Sequence, residues 1–350
     1  MRQKLGMTNR TKNIVYSLVL LLAMYAIYKY RQAPKSEVIV QFSGKTMGPI
    51  AYNVTYFDSE KRSFQSSVDS ILKVFNQSLN TYIPTSEISR FNRDSNFVFS
   101  LPYFKEAAIK GQEINTLTSG AYDPSIGPLI NTWGFGYKNQ IAIDSTVIDS
   151  LKQFTGFDKI KITDSLITKN DYRLQLDFSA SAKGYGVDVV IDFLKSRGIS
   201  NAFVEIGGEV AVAGKNIQKD TLWSIGVLDP NSTELEQRYH SIISLTEKGM
   251  ATSGNYFNYQ IIDGVKYGHT INPNTGYPIQ HELLSVTAVA ENCHTADALA
   301  TAFMVFGLDK TIAFLERHPE FDAFLIYSDM DGTLKSFSTP NLQPYIKQIQ

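Results

Sequence analysis

The chain has 350 residues, of which 43% are hydrophobic and 12% aromatic, which excludes an intrinsically disordered protein. The first 35 residues hold seven Lys and Arg residues and no acid, leaving 26 of the 33 basic residues against 34 acidic ones in the remainder. That remainder, with a net charge of −8 and no basic patch, is a poor surface for nucleic acid, so no nucleic-acid partner is expected. The single cysteine, Cys293, excludes an internal disulfide.

An apolar run at residues 14–28 follows the basic N-terminus. It is shorter than a full membrane span of about 20 residues. Bulky residues follow the run, and it is not followed by a small-x-small cleavage site. Both features favour an uncleaved anchor over a removed signal peptide. We therefore predict a basic segment, membrane anchor and tether at residues 1–35. Because positive charge ahead of a span keeps that end cytoplasmic, residues 36–345 are expected on the periplasmic side of the inner membrane.

The remaining elements mix strands and helices without regular alternation. Strands are predicted at 38–40 and 51–57, joined by a turn at 44–49, and later at 202–206, 209–213, 222–228, 285–290 and 321–328. Helices are predicted at 66–79, 104–117 and 181–197, and another in the alanine-rich segment 295–304. The absence of βαβ alternation favours an α+β fold, a single mixed α/β domain behind the N-terminal apolar helix.

Common catalytic signatures are missing from the sequence. Gly44-Lys45-Thr46 looks like the end of a phosphate-binding loop, but Ile39 stands where the first glycine is required. The dinucleotide-binding G-x-G-x-x-G, the hydrolase G-x-S-x-G and the zinc-binding H-E-x-x-H patterns do not occur, and the five histidines are scattered.

Two segments instead point to chemistry on a phosphate. Residues 269–278 begin with His269 and contain two prolines and a glycine, which predicts a shaped turn that presents a histidine, hydroxyls and backbone amides. Asp297 and Thr301 lie four residues apart in the alanine-rich helix, so they share one face and offer two hard oxygens, the ligands that suit Mg²⁺. Taken alone, the second pair also fits a helix-terminal acid beside a packed threonine.

Further turn-like segments carry polar residues that fit a functional or a structural role when each is taken alone. Tyr82 lies in a loop and fits either stacking on a flat ring or packing on the core. Lys183 near a helix start is unfavourable for the helix dipole, which an anionic partner would explain, although a surface lysine is the ordinary reading. Residues 250–255 fit an ordinary hairpin turn.

Together these segments resemble one family, the FAD:protein FMN transferases, or flavin transferase (ApbE) family. The resemblance runs in family order from about residue 45 to about residue 330. The matching motifs include Met47-Gly48, Gly120-Ala121-Tyr122-Asp123-Pro124, Asp177 through Asp188 with Ala182-Lys183-Gly184-Tyr185, Gly207-Gly208, Thr252-Ser253-Gly254, Asn272-Pro273-Asn274-Thr275-Gly276-Tyr277-Pro278 and Ala296-Asp297-Ala298-Leu299-Ala300-Thr301. Two departures stand out: Pro49 replaces the usual threonine after Met47-Gly48, and glutamates occupy positions 205 and 209, where Asn and Asp are commoner.

The resemblance implies an enzyme that moves FMN from FAD onto a threonine or serine hydroxyl of an acceptor flavoprotein, with Mg²⁺, releasing AMP. It implies acceptors among the subunits of exported electron-transport complexes, such as sodium-pumping NADH:quinone reductase or the Rnf complex. By motif, the implied metal site is the carbonyl of Ala180 with Asp297 and Thr301, and His269 is the implied proton acceptor. The implied FAD contacts are Met47, Tyr82, Ala121, Tyr122, Asp123, Asp177, Lys183 and Ile271. Two alternatives stay open: a Mg²⁺-dependent FAD pyrophosphatase that passes the phosphoryl group to water, and a non-enzymatic FAD-binding protein.

Overall fold

The computed structural model describes residues 9–32, 37–136, 144–232, 236–254, 259–262 and 265–349. Its helices are α1 (Asn9–Gln32), α2 (Gln65–Leu79), α3 (Glu87–Arg93), α4 (Pro102–Leu117), α5 (Gly127–Thr132), α6 (Ser145–Lys152), α7 (Ala182–Ser196), α8 (Cys293–Phe306) and α9 (Leu308–Arg317). Among these described helices, none is both long enough and apolar enough to cross a membrane. Helix α1 covers the apolar run on which the membrane anchor was predicted, and the location at a membrane stays a prediction.

The strands of the described chain form one large sheet and three small ones. They are β1 (Val38–Thr46), β2 (Ile50–Asp58), β3 (Asn96–Val98), β4 (Ile160–Ile162), β5 (Leu166–Lys169), β6 (Ala202–Ile206), β7 (Glu209–Ala213), β8 (Trp223–Leu228), β9 (Tyr239–Leu245), β10 (Lys248–Gly254), β11 (Tyr259–Ile262), β12 (Val265–Gly268), β13 (Leu283–Ala290), β14 (Asp322–Ser328), β15 (Leu334–Ser338) and β16 (Ile346–Gln348). The large sheet has the order β1-β2-β6-β7-β10-β13-β14-β15, and each neighbouring pair is antiparallel. The smaller sheets are β16-β9-β8, β3-β5-β4 and the hairpin β11-β12.

The large sheet is covered on both faces, as its fully buried strand β7 shows. Because successive side chains of a strand point to opposite faces, Ala211 and Ala213 pack against α7 while Val210 and Val212 pack against β8 and β9. Helices α2, α7 and α8 therefore lie on one face and the small sheet of β8, β9 and β16 on the other. This segregation of helices and an antiparallel sheet agrees with the predicted mixed α/β class.

Helices α7 and α8 pack closely because α7 carries a glycine at their contact. A Cβ at Gly184 would come within 2.7 Å of the Asp297 Cβ and would collide with the carbonyl group of Cys293. The two helices are also joined through Asp188, whose carboxylate accepts the backbone N–H groups of Cys293 and His294 at 2.8 and 2.7 Å. These are N–H groups of the first turn of α8, which have no partner within that helix. The contact fixes the two helices that carry the predicted lysine and metal ligands.

Most predicted elements occur, with shifts of one or two residues at many ends, but two local predictions are wrong. Strand β1 runs to Thr46, six residues past its predicted end at 40, so the turn predicted at 44–49 is confined to residues 47–49. The segment 250–255, expected as a hairpin turn, belongs to β10 through Gly254 and pairs with β13, whereas Asn255 lies outside the described residues. Gly249 in the same strand faces the start of α8, where the backbone of Asn292 and Cys293 leaves no room for a side chain. Gly249 therefore reflects close packing of this strand against α8.

Candidate functional site

A cavity of about 740 Å³ lies where α7, α8, β10 and the turn after β12 meet. Its size falls within the range of about 300–1,000 Å³ that is usual for small-molecule sites. Six of the residues predicted for the site line it: Ala180, Lys183, His269, Ile271, Asp297 and Thr301. The fold thus brings together the predicted metal ligands, proton acceptor and lysine from segments up to 121 residues apart in sequence.

Asp297 is a buried carboxylate in this cavity, only 4% exposed, not a helix-surface acid. One of its oxygens accepts the backbone N–H of Gly184 at 2.9 Å. Burial raises the pKa of Asp297, while the charge of Lys183 and the Gly184 hydrogen bond oppose that rise. Because an ionised carboxylate in such a place lacks the water that would solvate it, it favours a nearby cation.

Three further hard oxygens line the same cavity as Asp297. The Thr301 hydroxyl is 3.4 Å from the carbonyl oxygen of Ala180, and the Ser253 hydroxyl is 3.4 Å from that of Thr301. The predicted helix-face relation of Asp297 and Thr301 is therefore present, and the carbonyl comes from the segment that leads into α7. Among the described residues, no group of three or more His, Cys, Asp or Glu side chains could hold a metal ion. The predicted metal site is not such a group, because it has one carboxylate together with a carbonyl and a hydroxyl oxygen. Hard oxygen ligands of this kind fit Mg²⁺.

Lys183 forms an ion pair with Glu209, its ammonium lying 2.5 Å from the carboxylate. Burial alone would lower the pKa of Lys183, but the charges of Glu209 and Asp297 outweigh burial and raise it. Lys183 therefore stays charged at the cavity wall. The ordinary reading of an isolated surface lysine is wrong, since its side chain is 28% exposed and paired.

His269 stands at the edge of a turn that the structure closes on itself. Ile271 bridges Pro278, the N–H of Gly276 donates to the carbonyl of Asn272 at 2.8 Å, and Trp133 donates from its indole N–H to the Gly276 carbonyl at 2.9 Å. The ring of His269 contacts Phe135 edge to face, with centroids 6.4 Å apart. These contacts make the predicted shaped turn a fixed platform for the histidine.

The other predicted FAD contacts do not line the cavity. Tyr82 is 65% exposed, and partial burial and the charge of Asp177 raise its pKa. It does not pack in the core. Met47 is half-buried and has a positive φ of 49° in the turn between β1 and β2.

The segment 121–123 and Asp177 lie behind the cavity wall. Ala121 and Tyr122 are buried, and the Tyr122 hydroxyl is 2.6 Å from that of Ser181, just before α7. Asp123 accepts the N–H of Ser125, and burial raises its pKa. Asp177 accepts the N–H of Ser179 at 2.8 Å, next to the cavity residue Ala180. In this structure these residues shape the wall and do not face the cavity.

Reasoning from the sequence gave no role to Glu209 or Ser253, which also line the cavity. The signal for Glu209 in the sequence is its position directly after Gly207-Gly208, where Asn and Asp are commoner in the family pattern. The place of Ser253 in the cavity could not be predicted from a segment that fits a turn. In the structure Ser253 belongs to β10, and its hydroxyl lies beside that of Thr301.

Comparison with known proteins agrees with this arrangement. A sequence model of the ApbE family matches residues 47–325. The chain is 35% identical to the FAD:protein FMN transferase of Vibrio cholerae, over 94% of this chain and 99% of that protein. Among solved structures, the flavin transferase ApbE from Vibrio cholerae superposes with a TM-score of 0.78 at 34% identity, covering 88% of this chain and 99% of that one. The apo flavinyl transferase ApbE of Pseudomonas stutzeri gives 0.77 at 32% identity, with coverages of 89% and 97%. The chain therefore belongs to the ApbE family.

Proposed function

We propose that this protein is an FAD:protein FMN transferase that moves FMN from FAD onto a threonine or serine hydroxyl of an acceptor protein. The observation that carries the proposal is a cavity that gathers His269, a charged Lys183 and the oxygens of Ala180, Asp297 and Thr301. A histidine suits proton transfer near neutral pH, and a fixed ammonium suits a pyrophosphate. The names of the relatives, FAD:protein FMN transferase, support the same activity.

In the proposed reaction, the acceptor hydroxyl oxygen forms a bond to the FMN-side phosphorus of FAD. The bond from that phosphorus to the bridging oxygen breaks, and AMP leaves with the bridging oxygen. His269 takes the proton of the incoming hydroxyl, and Lys183 lies against the negative charge that grows on the departing AMP phosphate. Met47, Tyr82, Ala121, Tyr122, Asp123, Asp177 and Ile271 would position the flavin and nucleotide parts.

Ala180, Asp297 and Thr301 would hold Mg²⁺ in this proposal, since their oxygens are hard ligands gathered at one wall of the cavity. Bound there, the ion would supply further stabilisation of phosphate charge. Asp297 contributes the negative charge of the set, and its burial favours a cation as neighbour.

We also propose that the protein is held at the inner membrane by α1, with residues 36–345 on the periplasmic side. Ten large apolar side chains of α1, between Ile14 and Tyr25, are 40–69% exposed, and such a surface needs a partner. A membrane fits because the run is flanked by Lys and Arg on both sides. Protease added to spheroplasts should digest the domain. A domain that resists digestion until the cells are lysed would contradict this location.

The activity is tested by incubating the full-length protein in detergent with FAD, Mg²⁺ and a flavin-carrying subunit of a sodium-pumping NADH:quinone reductase. The acceptor should gain the mass of FMN less water and become covalently fluorescent, with one AMP released per flavin transferred. Release of free FMN and AMP with an unmodified acceptor would identify a pyrophosphatase instead. Binding of FAD without any AMP release would leave only a flavin-binding protein.

A further inference from the structure

Glu209 is the part of the cavity wall that neither the predicted metal site nor the predicted FAD contacts use. It is 2% exposed, and one carboxylate oxygen lies 2.5 Å from the Lys183 ammonium. Its other oxygen, Oε2, is buried and has no hydrogen-bond partner in the described part of the chain. A buried, half-satisfied carboxylate is costly, so its presence calls for a use.

The chain reaches this arrangement through the turn at Gly207-Gly208, between β6 and β7. Both glycines have positive φ angles, 61° and 103°, which residues with side chains seldom adopt. A Cβ at Gly207 would also lie 3.2 Å from the Cδ of Lys183. The turn thus leaves space for the lysine stem and directs the first residue of β7, Glu209, at the end of that stem.

A lysine needs such a partner if it is to act from a fixed place. Its side chain has four rotatable bonds and loses about 2 kcal/mol of rotamer entropy when it is held in one conformation. Lys183 lies at the first turn of α7, where the helix dipole disfavours positive charge. The ion pair with Glu209 opposes both effects and keeps the ammonium inside the cavity.

We propose that Glu209 is a positioning residue, whose carboxylate holds the Lys183 ammonium where it meets the pyrophosphate of FAD. This inference rests on the proposed function, because it assigns the phosphate of FAD to the cavity. Glu209 acts through Lys183, and its effect on binding and turnover disappears when Lys183 is removed.

The test is a double-mutant cycle of Glu209→Gln and Lys183→Met in the full-length protein. FAD affinity is measured by flavin fluorescence without metal, and kcat and KM by FMN transfer. Each single variant should lower FAD affinity and kcat/KM by about 10- to 100-fold, which is the range for the loss of a hydrogen bond to a charged group. The double variant should have the same affinity and kcat/KM as Lys183→Met alone. Glu113→Gln removes the same charge from a surface pair with Lys110, also 2.5 Å long, and should change nothing.

Glu209→Asp keeps the charge on a shorter side chain and should recover part of the FAD affinity and turnover that Glu209→Gln loses. If Glu209→Gln does not fold, Glu209→Asp takes its place in the cycle. Additive effects of the two substitutions, or normal affinity and turnover in a folded Glu209→Gln protein, would overturn the positioning role. If the parent binds FAD but transfers no FMN, the proposed function fails while the affinity cycle still decides on Glu209. A parent that binds no FAD would overturn both.

Discussion

The contact between α7 and α8 makes a sharp prediction at Gly184. An alanine Cβ there would lie 2.7 Å from the Asp297 Cβ and 2.8 Å from the carbonyl carbon of Cys293, and closer still to the Cys293 oxygen. The Cys293 atoms belong to the backbone, so no rotamer change relieves the overlap. Helix α7 must move away from α8, and the 2.9 Å hydrogen bond from Gly184 to Asp297 must lengthen.

The size of the effect follows from three contributions. Overpacking costs about 1–3 kcal/mol and the weakened hydrogen bond to a charged group about 1.5–3 kcal/mol, against about 1 kcal/mol gained because alanine favours helix over glycine. Gly184→Ala should therefore lower the free energy of unfolding by about 1.5–5 kcal/mol.

Gly186→Ala, two residues further along the same helix, is the matched control. Its Cβ would meet the ends of two flexible side chains, Met47 Cε at 3.1 Å and Ile206 Cδ1 at 3.3 Å, which can shift by a few tenths of an ångström. Its stability should stay within about 1 kcal/mol of the parent. Urea unfolding of the ligand-free proteins, followed by circular dichroism, measures both. Equal stabilities for Gly184→Ala and Gly186→Ala would refute the packing argument.

Three further predictions concern polar groups of these two helices and of the turn that begins at His269. Burial raises the pKa of Asp188 to about 7, with hydrogen bonds from His294 and Cys293 and the charge of Lys195 opposing the rise and Asp192 adding to it. Because the unfolded carboxyl titrates near 3.8, the folded state binds more protons between these values, and its contribution to stability falls as pH rises from about 4 to about 7. Asp188→Asn should flatten that slope in urea unfolding across this pH range, and an unchanged slope would contradict the assignment. His269→Ala should still bind FAD in a fluorescence titration but lose about 10²–10⁴-fold in transfer rate, and a loss explained by FAD affinity alone would remove the histidine from proton transfer. Asp297→Ala should abolish the rise in melting temperature that Mg²⁺ produces in the parent, and an equal rise in both proteins would place the ion elsewhere.

Local patterns in the sequence were sufficient for the elements that frame the site. The apolar spacing of α2 and the glycine stop after α7 predicted those helices, and the four-residue separation of Asp297 and Thr301 correctly placed them on one helix face. The prolines and glycine of 272–278 likewise predicted a fixed turn, which the bridge from Ile271 to Pro278 closes. In each case, the information lies within one or two helical turns or one loop.

Partners that come from distant parts of the chain could not be predicted in this way. Asp188 binds the start of α8, more than 100 residues later, and the pairing of Lys183 with Glu209 depends on how β7 lies beside α7. The burial of Asp297 was not predicted either, yet every residue from Cys293 to Ala300 is buried. A helix that is apolar almost all round belongs in a core, and that composition was the available signal.

The packing of α7 on α8 links the stability of the protein to its site. The same contact buries Asp297 and brings Lys183 and Glu209 beside it, so carboxylates are desolvated around a lysine that both of them attract. Removing these acids from water disfavours their charged forms, and that cost is reduced when a cation enters the cavity. A ligand that binds only the folded state stabilises it by mass action. The gain in free energy of unfolding grows with the logarithm of the ratio of ligand concentration to dissociation constant. Burial of these carboxylates lowers the stability of the ligand-free protein. For the same reason, it would favour the binding of a cation beside Asp297.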